Sequence, residues 1–533
     1  IAEGLTASSA AAKVGTITFK PDGQGDYAPS PVITGDEAKD TYYILRGIRQ
    51  ADGTYQFMED STVSVDEKDI TQKAFPVIDN YANIMATVFG TDKDIKIDAA
   101  GKTLKLHATY ISDKPETEMS DNIDTIGIYT KKKVDIKAKE LDIRAKSVAE
   151  TGFETIGICL KDGAEVNIDG SVSIQSLREK SWQGGAYGIY MDRSANKLTI
   201  HGDLTMRGDG TEGDALYGVW SQEKFPPTPN GKYKAKGIYT RGGNNELTVK
   251  GRTDIAAKGT GLDINGCKVL LEGGATIITP DDANEFYYAI SSGFGGNVII
   301  GRENLDMNTM DGVKTIIQGT VRTFDGRVQI GMGTSDSCFT GVVQKGGNNG
   351  EVIMGLLAKG ATWENRQTSK MKGFTGSEVN RLEAWDAKDE YSVILQKDTN
   401  PITIGTYKGN TKIIYAHDKD DPTKIIGGDF IINSVNPFTV SQAVLVTDNE
   451  GLNTASDKAE DKNLVSETLN KLANKLYYKS YNEQTDKLDG TVEIAEGLTA
   501  SSAALRIGNI TYNAENGQGR YLYTPETPES QTV

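Results

Sequence analysis

Val166-Asn-Ile168-Asp-Gly170-Ser-Val172-Ser-Ile174 alternates apolar and polar residues on either side of one glycine. The pattern returns as Leu198-Thr-Ile200-His-Gly202-Asp-Leu204-Thr-Met206 and as Leu247-Thr-Val249-Lys-Gly251-Arg-Thr253-Asp-Ile255. It returns again as Val269-Leu-Leu271-Glu-Gly273-Gly-Ala275-Thr-Ile277, and more loosely across Val134 to Ile143. Alternation with a period of two turns one face of an extended chain inward and the other to water, which is strand behaviour. The central glycine predicts a sharp corner where a Cβ would not fit.

A second signature lies between these segments. Gly127-Ile-Tyr129 recurs as Gly157-Ile-Cys159, Gly188-Ile-Tyr190, Gly218-Val-Trp220 and Gly237-Ile-Tyr239, at intervals of 30, 31, 30 and 19 residues. Each cycle therefore reads as two or three short strands joined by corners. One such rung cannot bury its own inner face, whereas stacked rungs share a continuous core. The expected fold is all-β, a parallel β-helix, with rungs of roughly 24 residues and a rod on the order of 100 Å. Weaker rung signals precede the repeats at Ile95, Ile97, Leu104 and Leu106. Others follow at Val298-Ile-Ile300, Ile316-Ile317, Val352-Ile353, Ile402, Ile404, Ile413-Ile414 and Ile431-Ile432.

A much longer repeat spans the chain. Ile1-Ala-Glu-Gly-Leu-Thr-Ala-Ser-Ser-Ala-Ala11 reappears unchanged from Ile494 to Ala504, 493 positions later. Val14-Gly-Thr-Ile-Thr-Phe19 then matches Ile507-Gly-Asn-Ile-Thr-Tyr512 in the same register, and Tyr27 matches Tyr521 after a one-residue insertion. The exchanges Val→Ile and Phe→Tyr keep strand-forming side chains, so the two copies are expected to share a fold. The chain reads as one full unit plus the start of the next, from a parent carrying several. Residues 1–40 form the unit start with a Pro-containing joint, 41–455 the β-helix, 456–480 an amphipathic helix and 481–533 the next unit start. From Asp461 the residues Leu464, Val465, Leu469, Leu472, Ala473 and Leu476 follow helical spacing, with Asp461 expected to cap the start. This helix is expected to cover a sheet edge or brace the joint, because exposed edges invite association.

Composition agrees with a thin, extended core. Of 533 residues, 59 are Gly and 37% are apolar, and mean hydropathy is −0.43. The 58 basic against 74 acidic residues give a net charge of −16, which supplies no basic stripe for nucleic acid. The charge suits solubility of a long surface. The acidic loop Asp209-Gly-Thr-Glu-Gly-Asp214 lacks the ligand spacing of known calcium loops, and neither metal nor cofactor is expected. Cys159, Cys267 and Cys338 are too sparse for a disulfide scaffold or a metal knuckle. No apolar run reaches the roughly 18 residues of a membrane span, so no membrane insertion of this region is expected. No signal peptide opens the chain, and Ile1 in place of Met suggests a mature or excised piece.

The Gly-Ile-Tyr rungs and Leu-x-Ile-x-Gly-x-Leu-x-Ile strands resemble passenger domains of type V secretion autotransporters of Gram-negative bacteria. Leu469-Asn-Lys-Leu-Ala-Asn-Lys-Leu-Tyr-Tyr478, followed by Gly490-Thr-Val-Glu-Ile-Ala-Glu-Gly-Leu-Thr-Ala-Ser-Ser502, is similar to segments of large autotransporters of anaerobic, outer-membrane-bearing Firmicutes. The resemblance implies a right-handed helix, export to the outer-membrane surface and an adhesive or structural role outside the cell. It implies a surface glycan or protein, or further copies of the unit end to end, as partners.

Catalytic signals are sparse. The Gly-Asp-Ser-Gly and Gly-Asp-Ser-Leu motifs of protease and esterase passengers are absent, and Gly333-Thr-Ser-Asp-Ser337 is not equivalent. His107, His201 and His417 read as structural surface residues. An enzyme is therefore not expected. The alternatives to an adhesin are a ligand-free mechanical stalk and a carbohydrate-active β-helix enzyme, whose carboxylate pair no spacing singles out.

Three features are candidates for binding. Arg207-Gly208-Asp209 is an integrin-type tripeptide at the start of a Gly-rich loop, or an ordinary polar turn. Tyr129, Tyr190, Trp220 and Tyr239 hold one position of the triplet. They are expected to face outward, either as a stabilising ladder or as a strip that stacks on sugar rings. Lys224-Phe-Pro-Pro-Thr-Pro-Asn-Gly231 breaks the 30-residue spacing and reads as a surface excursion.

Overall fold

In the computed structural model the protein is all-β, with long parallel sheets consistent with a β-solenoid. Backbone and side chains are described for 50–65, 84–90, 93–111, 123–149, 154–179, 184–210, 216–221, 235–282, 287–347, 349–371, 373–387, 390–421 and 424–434, and for parts of 443–475. A few further strands are described by their backbone alone. The chain divides into two compact units. The first is 1–272 with 277–280 and 294–297; the second is 273–276, 281–293 and 298–533.

In the first unit two parallel sheets face each other. The first sheet stacks Asn83–Gly90, Ile123–Thr130, Thr155–Leu160, Ala186–Met191, Ala235–Thr240 and Thr260–Asn265. The second stacks Ser61–Val65, Ile95–Ile111, Lys133–Val148 and Glu165–Glu179, followed by the shorter strands of later rungs. Like residues align along the stack. Ile97, Ile136, Ile168, Ile200, Val249 and Leu271 form one core row, and Ile128, Ile158, Ile189, Ile238 and Leu262 another. All are buried, so each rung covers the apolar face that its neighbour exposes.

The triplet glycines have a steric reason. Thr87, Gly127, Gly157, Gly188, Gly237 and Gly261 lie one above another in the first sheet, and Gly127, Gly157, Gly188 and Gly237 face side chains of the second. A Cβ on Gly157 would stand 2.3 Å from Ile174 Cγ2 and 2.5 Å from the Gly188 carbonyl oxygen; Gly127, Gly188 and Gly237 are similarly confined. The Thr87 hydroxyl closes the row by donating to the Gly127 carbonyl. The corner glycines form a second stack, in which Gly202 N–H donates to Gly170 O and Gly251 N–H to Gly202 O. Gly170 also adopts φ +148°, and a Cβ there would meet Ala138 O at 1.9 Å.

Polar corners are satisfied by a buried asparagine pair. Asn196 Oδ1 accepts from the Gly163 and Ala164 amides at 3.0 and 2.9 Å. Asn245 Oδ1 in turn accepts from the Asn196 amide at 2.8 Å. Buried backbone donors therefore find partners where strand pairing stops.

In the second unit two parallel columns run side by side. One is Arg327–Met332, Glu351–Leu356, Ser377–Ala384, Ile402–Lys408, Phe430–Val435 and Leu476–Asn482. The other is Ile316–Gln318, Cys338–Thr340, Thr362–Asn365, Ser392–Gln396, Asn410–Tyr415 and Gln442–Thr447. Phe339 stacks on Trp363 at 6.0 Å between centroids, and both are fully buried. The columns end in antiparallel pairs: Lys487–Glu493 on Leu476–Asn482, and Arg506–Tyr512 on Gln442–Thr447.

The helix differs from expectation at both ends. It runs Ala459–Ala473, which places Asp461 inside the first turn, beside Glu460, where a carboxylate complements the helix dipole rather than capping it. Leu476, Tyr477 and Tyr478 are not its last turn. They pair with Phe430, Ile431 and Ile432, because aromatic residues gain more from joining a sheet than from an exposed helix end. The helix packs against Gln442–Thr447, with Thr468 and Leu472 buried.

Candidate binding surface

The triplet row is real but not as the spacing arranged it. Phe89, Tyr129, Cys159, Tyr190 and Tyr239 occupy consecutive positions of one ladder in the first sheet, ending at Asp263. Trp220 is not in it. Val219–Ser221 pairs with Ser176–Arg178 of the second sheet, so Trp220 lies opposite Leu177. The chain reverses before it, where Arg207 bridges Tyr217, and Gly218 serves that reversal by allowing close approach to the backbone of Met206 and Arg207. Its 30-residue interval from Gly188 is thus a coincidence of loop length.

The expected outward facing also needs correction for two of the four residues, since Trp220 is buried in the second sheet. Tyr129 is fully buried and stacked on Phe89 at 5.2 Å. Tyr190 and Tyr239 are partly exposed, and their companion Tyr187, on the residue before the triplet glycine, was not among the expected residues and is buried beneath them. Tyr187 stacks on Tyr239 at 5.4 Å, and Tyr190 meets both rings edge-on or tilted at 5.6 and 5.8 Å. The glycine between Tyr187 and Ile189 sets this up. It has no strand partner of its own in the register, so the alternation resets and residues three apart share a face.

Charged groups frame the rings. Lys236 Nζ lies 3.5 Å from the Tyr239 centroid and 2.7 Å from Asp263, so a partly exposed cation-π contact is held in place by an ion pair. Arg241 donates to the Tyr190 hydroxyl at 3.2 Å. Burial pushes the Tyr187 and Tyr190 phenols well above their ordinary range, so both remain neutral hydrogen-bonding groups. The signal available in the sequence was Tyr187 itself, three residues before Tyr190.

The tripeptide is placed at the surface with both ends engaged. Arg207 Nε pairs with Asp254 at 2.6 Å, and Asp209 pairs with Arg144 at 2.6 Å. The Gly208 amide donates to Leu216 O. A partner reading Arg207 and Asp209 must break both pairs. Such partly exposed pairs contribute little, so Arg207→Ala and Asp209→Ala are each expected to shift stability by less than about 1 kcal/mol. Urea unfolding midpoints measure this, and a larger loss would mean that the struts hold the rung together.

A shallow groove of about 370 Å³ lies on the outer side of the second sheet, lined among others by Lys96, Asp98, Asp135, Lys137, Asp169 and His201. Asn167 donates to Asp135 at 3.1 Å and to Glu165 at 2.9 Å, so part of its polar lining is internally paired. His107 and His417 each contact an aspartate, Asp142 and Asp448. Ser337 is buried and bonded to Thr334 and to the Thr315 amide. Cys159, Cys267 and Cys338 are free thiols, and burial pushes Cys267 up to about 12, which keeps it unreactive. Among the described residues no group of three or more His, Cys, Asp or Glu side chains could hold a metal, and no helix is long and apolar enough to cross a membrane.

A carboxylate pair sits at the strand starts of the first sheet. Asp124 accepts from the Glu154 amide at 2.9 Å, and Glu154 accepts from the Gly185 amide at 2.6 Å. Each acid thus ties its rung to the next. Burial, then the neighbouring Glu154 charge, raises Asp124 to about 7.

The Pro-rich excursion rises from an antiparallel stem, Lys224–Phe225 on Lys232–Tyr233; residues 226–231 lie outside those described, as do 211–215 of the acidic loop. No protein-family model, curated protein or solved structure matches the chain.

Proposed function

We propose that the chain is a right-handed parallel β-helix from a secreted, cell-surface repeat protein, and that it acts as an adhesin whose tyrosine face binds glycan. The observation that carries this reading is the Tyr187–Tyr190–Tyr239 cluster with Lys236 and Arg241 at its margin. Sugar rings present apolar C–H faces that stack on aromatic rings, while their hydroxyls take hydrogen bonds from flanking polar groups. Parallel pairing holds Tyr190 and Tyr239 on neighbouring rungs, roughly 4.8 Å apart, on one face. The low cysteine count and acidic surface suit an exported chain.

The test is binding of the whole chain to a glycan panel, alongside Tyr190→Ala/Tyr239→Ala. The double substitution is expected to lower binding at least tenfold with the sheets intact. Binding that survives it would place recognition elsewhere, and no binding to any glycan would favour a mechanical stalk. Conversion of a polysaccharide would support the enzyme reading instead.

A further inference from the structure

The repeat start occurs twice in this chain, and its two copies have different backbone partners. In the second copy, Arg506–Tyr512 is one unbroken strand. It lies antiparallel on Gln442–Thr447, with Asn509 opposite Val444, and carries Tyr521–Thr524 on its other side. In the first copy the matching segment folds on itself, Lys13 opposite Thr18 and Val14 opposite Ile17, and Lys20–Pro21 pairs with Tyr27–Ala28. Both copies pair with the stretch that follows, Tyr27–Ala28 or Tyr521–Thr524, but the repeat-start segment closes a hairpin of its own in the first copy and lies on the Gln442–Thr447 edge in the second.

The acceptor is the last strand of its parallel column. Gln442–Thr447 pairs with Asn410–Tyr415 on one side, and its other edge is the one the second copy covers. An open edge of this kind is a template for any strand of the right pattern. The first copy has that pattern, with Val14 and Ile17 at the positions of Ile507 and Ile510.

We infer that the repeat start is a donor strand that closes the preceding unit's sheet rather than its own, and that the first copy is built to dock on the Gln442–Thr447 edge of another copy of this unit. Within one chain the tethered second copy wins through its high effective concentration. Between chains the contact is heterologous, since donor and acceptor are different surfaces, and such contacts extend into open filaments unless they close on themselves. This inference does not depend on the glycan reading.

The test disables the internal donor. Asn509→Pro removes a backbone N–H and restricts the middle of the docked strand. Light scattering on the full chain should show wild type as a monomer. Asn509→Pro should form dimers and longer species as concentration rises, and Asn509→Pro/Thr16→Pro, which disables both copies, should return to monomer. A concentration-independent monomer for Asn509→Pro overturns the inference. So does equal assembly of the double variant, since that would be plain edge aggregation. A second measurement traps the contact directly. Full-length Val444→Cys/Asn509→Pro, whose own donor is disabled, mixed with full-length Thr16→Cys should accumulate a disulfide-linked heterodimer, because Thr16 holds the position of Asn509. Absence of the link, while Val444→Cys/Asn509→Cys forms one within a single chain, likewise overturns it.

Discussion

Gly157→Ala is expected to destabilise the first unit by about 3 kcal/mol or more, beyond the ordinary cost of overpacking. The added methyl would stand 2.3 Å from Ile174 Cγ2 and 2.5 Å from Gly188 O. The first obstacle is a side chain in the opposite sheet, and the second is the backbone of the next rung. Neither can withdraw alone, because Ile174 is fully buried and the Gly188 row is fixed by the strand pairing of Ala186–Met191. The backbone at Gly157 does not need a left-handed conformation, so the whole effect is one of space. Ile174→Ala in the same chain is therefore expected not to rescue the variant, since the carbonyl clash remains. Rungs contact only their neighbours, so the loss should appear first as faster hydrogen exchange in Thr155–Leu160 and the strands on either side. Unchanged protection there, with an unchanged urea midpoint, would show that the two sheets are not held at the spacing described.

Asp124→Asn is expected to stabilise the protein at pH 8 and leave it nearly unchanged at pH 4. The folded carboxyl holds its proton to about pH 7, raised from 3.8 by burial and the adjacent Glu154 charge. Between those values the native state binds more protons than the unfolded chain, so stability falls as pH climbs through that window, and above it the full penalty is present. A shift of about three units corresponds to roughly 4 kcal/mol. Asparagine keeps an oxygen to accept from the Glu154 amide, as Asp124 does at 2.9 Å, but carries no charge to bury. Urea unfolding from pH 4 to 8 reads the difference. Wild type should lose stability across the range, and the variant should show a shallower slope. Parallel slopes would mean that Asp124 ionises freely and water reaches it. The Glu154 amide hydrogen bond, then Lys161 and Arg178, oppose the shift.

The amino-acid sequence by itself determined the strands, their stacking and the corner glycines Gly170, Gly202 and Gly251. Alternation around Gly170, Gly202 and Gly251 can only be extended chain with one buried face, and a unit that cannot cover its own apolar face must stack on copies of itself. Those are local properties, so they are written in local order. Tertiary structure decided which face of a residue is covered. Tyr129 and Tyr190 hold the same triplet position, yet Phe89 and its surroundings bury the first and leave the second partly open. Tyr187 joins the platform because an unpaired glycine resets the alternation, and Trp220 leaves it because the reversal at Arg207 and Tyr217 sends its strand to the other sheet. Leu476 to Tyr478 read as helix by spacing, but an open strand edge at Phe430–Ile432 was the better partner. Arg207 and Asp209 read as a free tripeptide until Asp254 and Arg144 came within reach from other rungs. For Tyr129, Leu476–Tyr478, Arg207 and Asp209 the deciding contact comes from residues 40 or more positions away, where spacing along the chain carries no information about which groups meet.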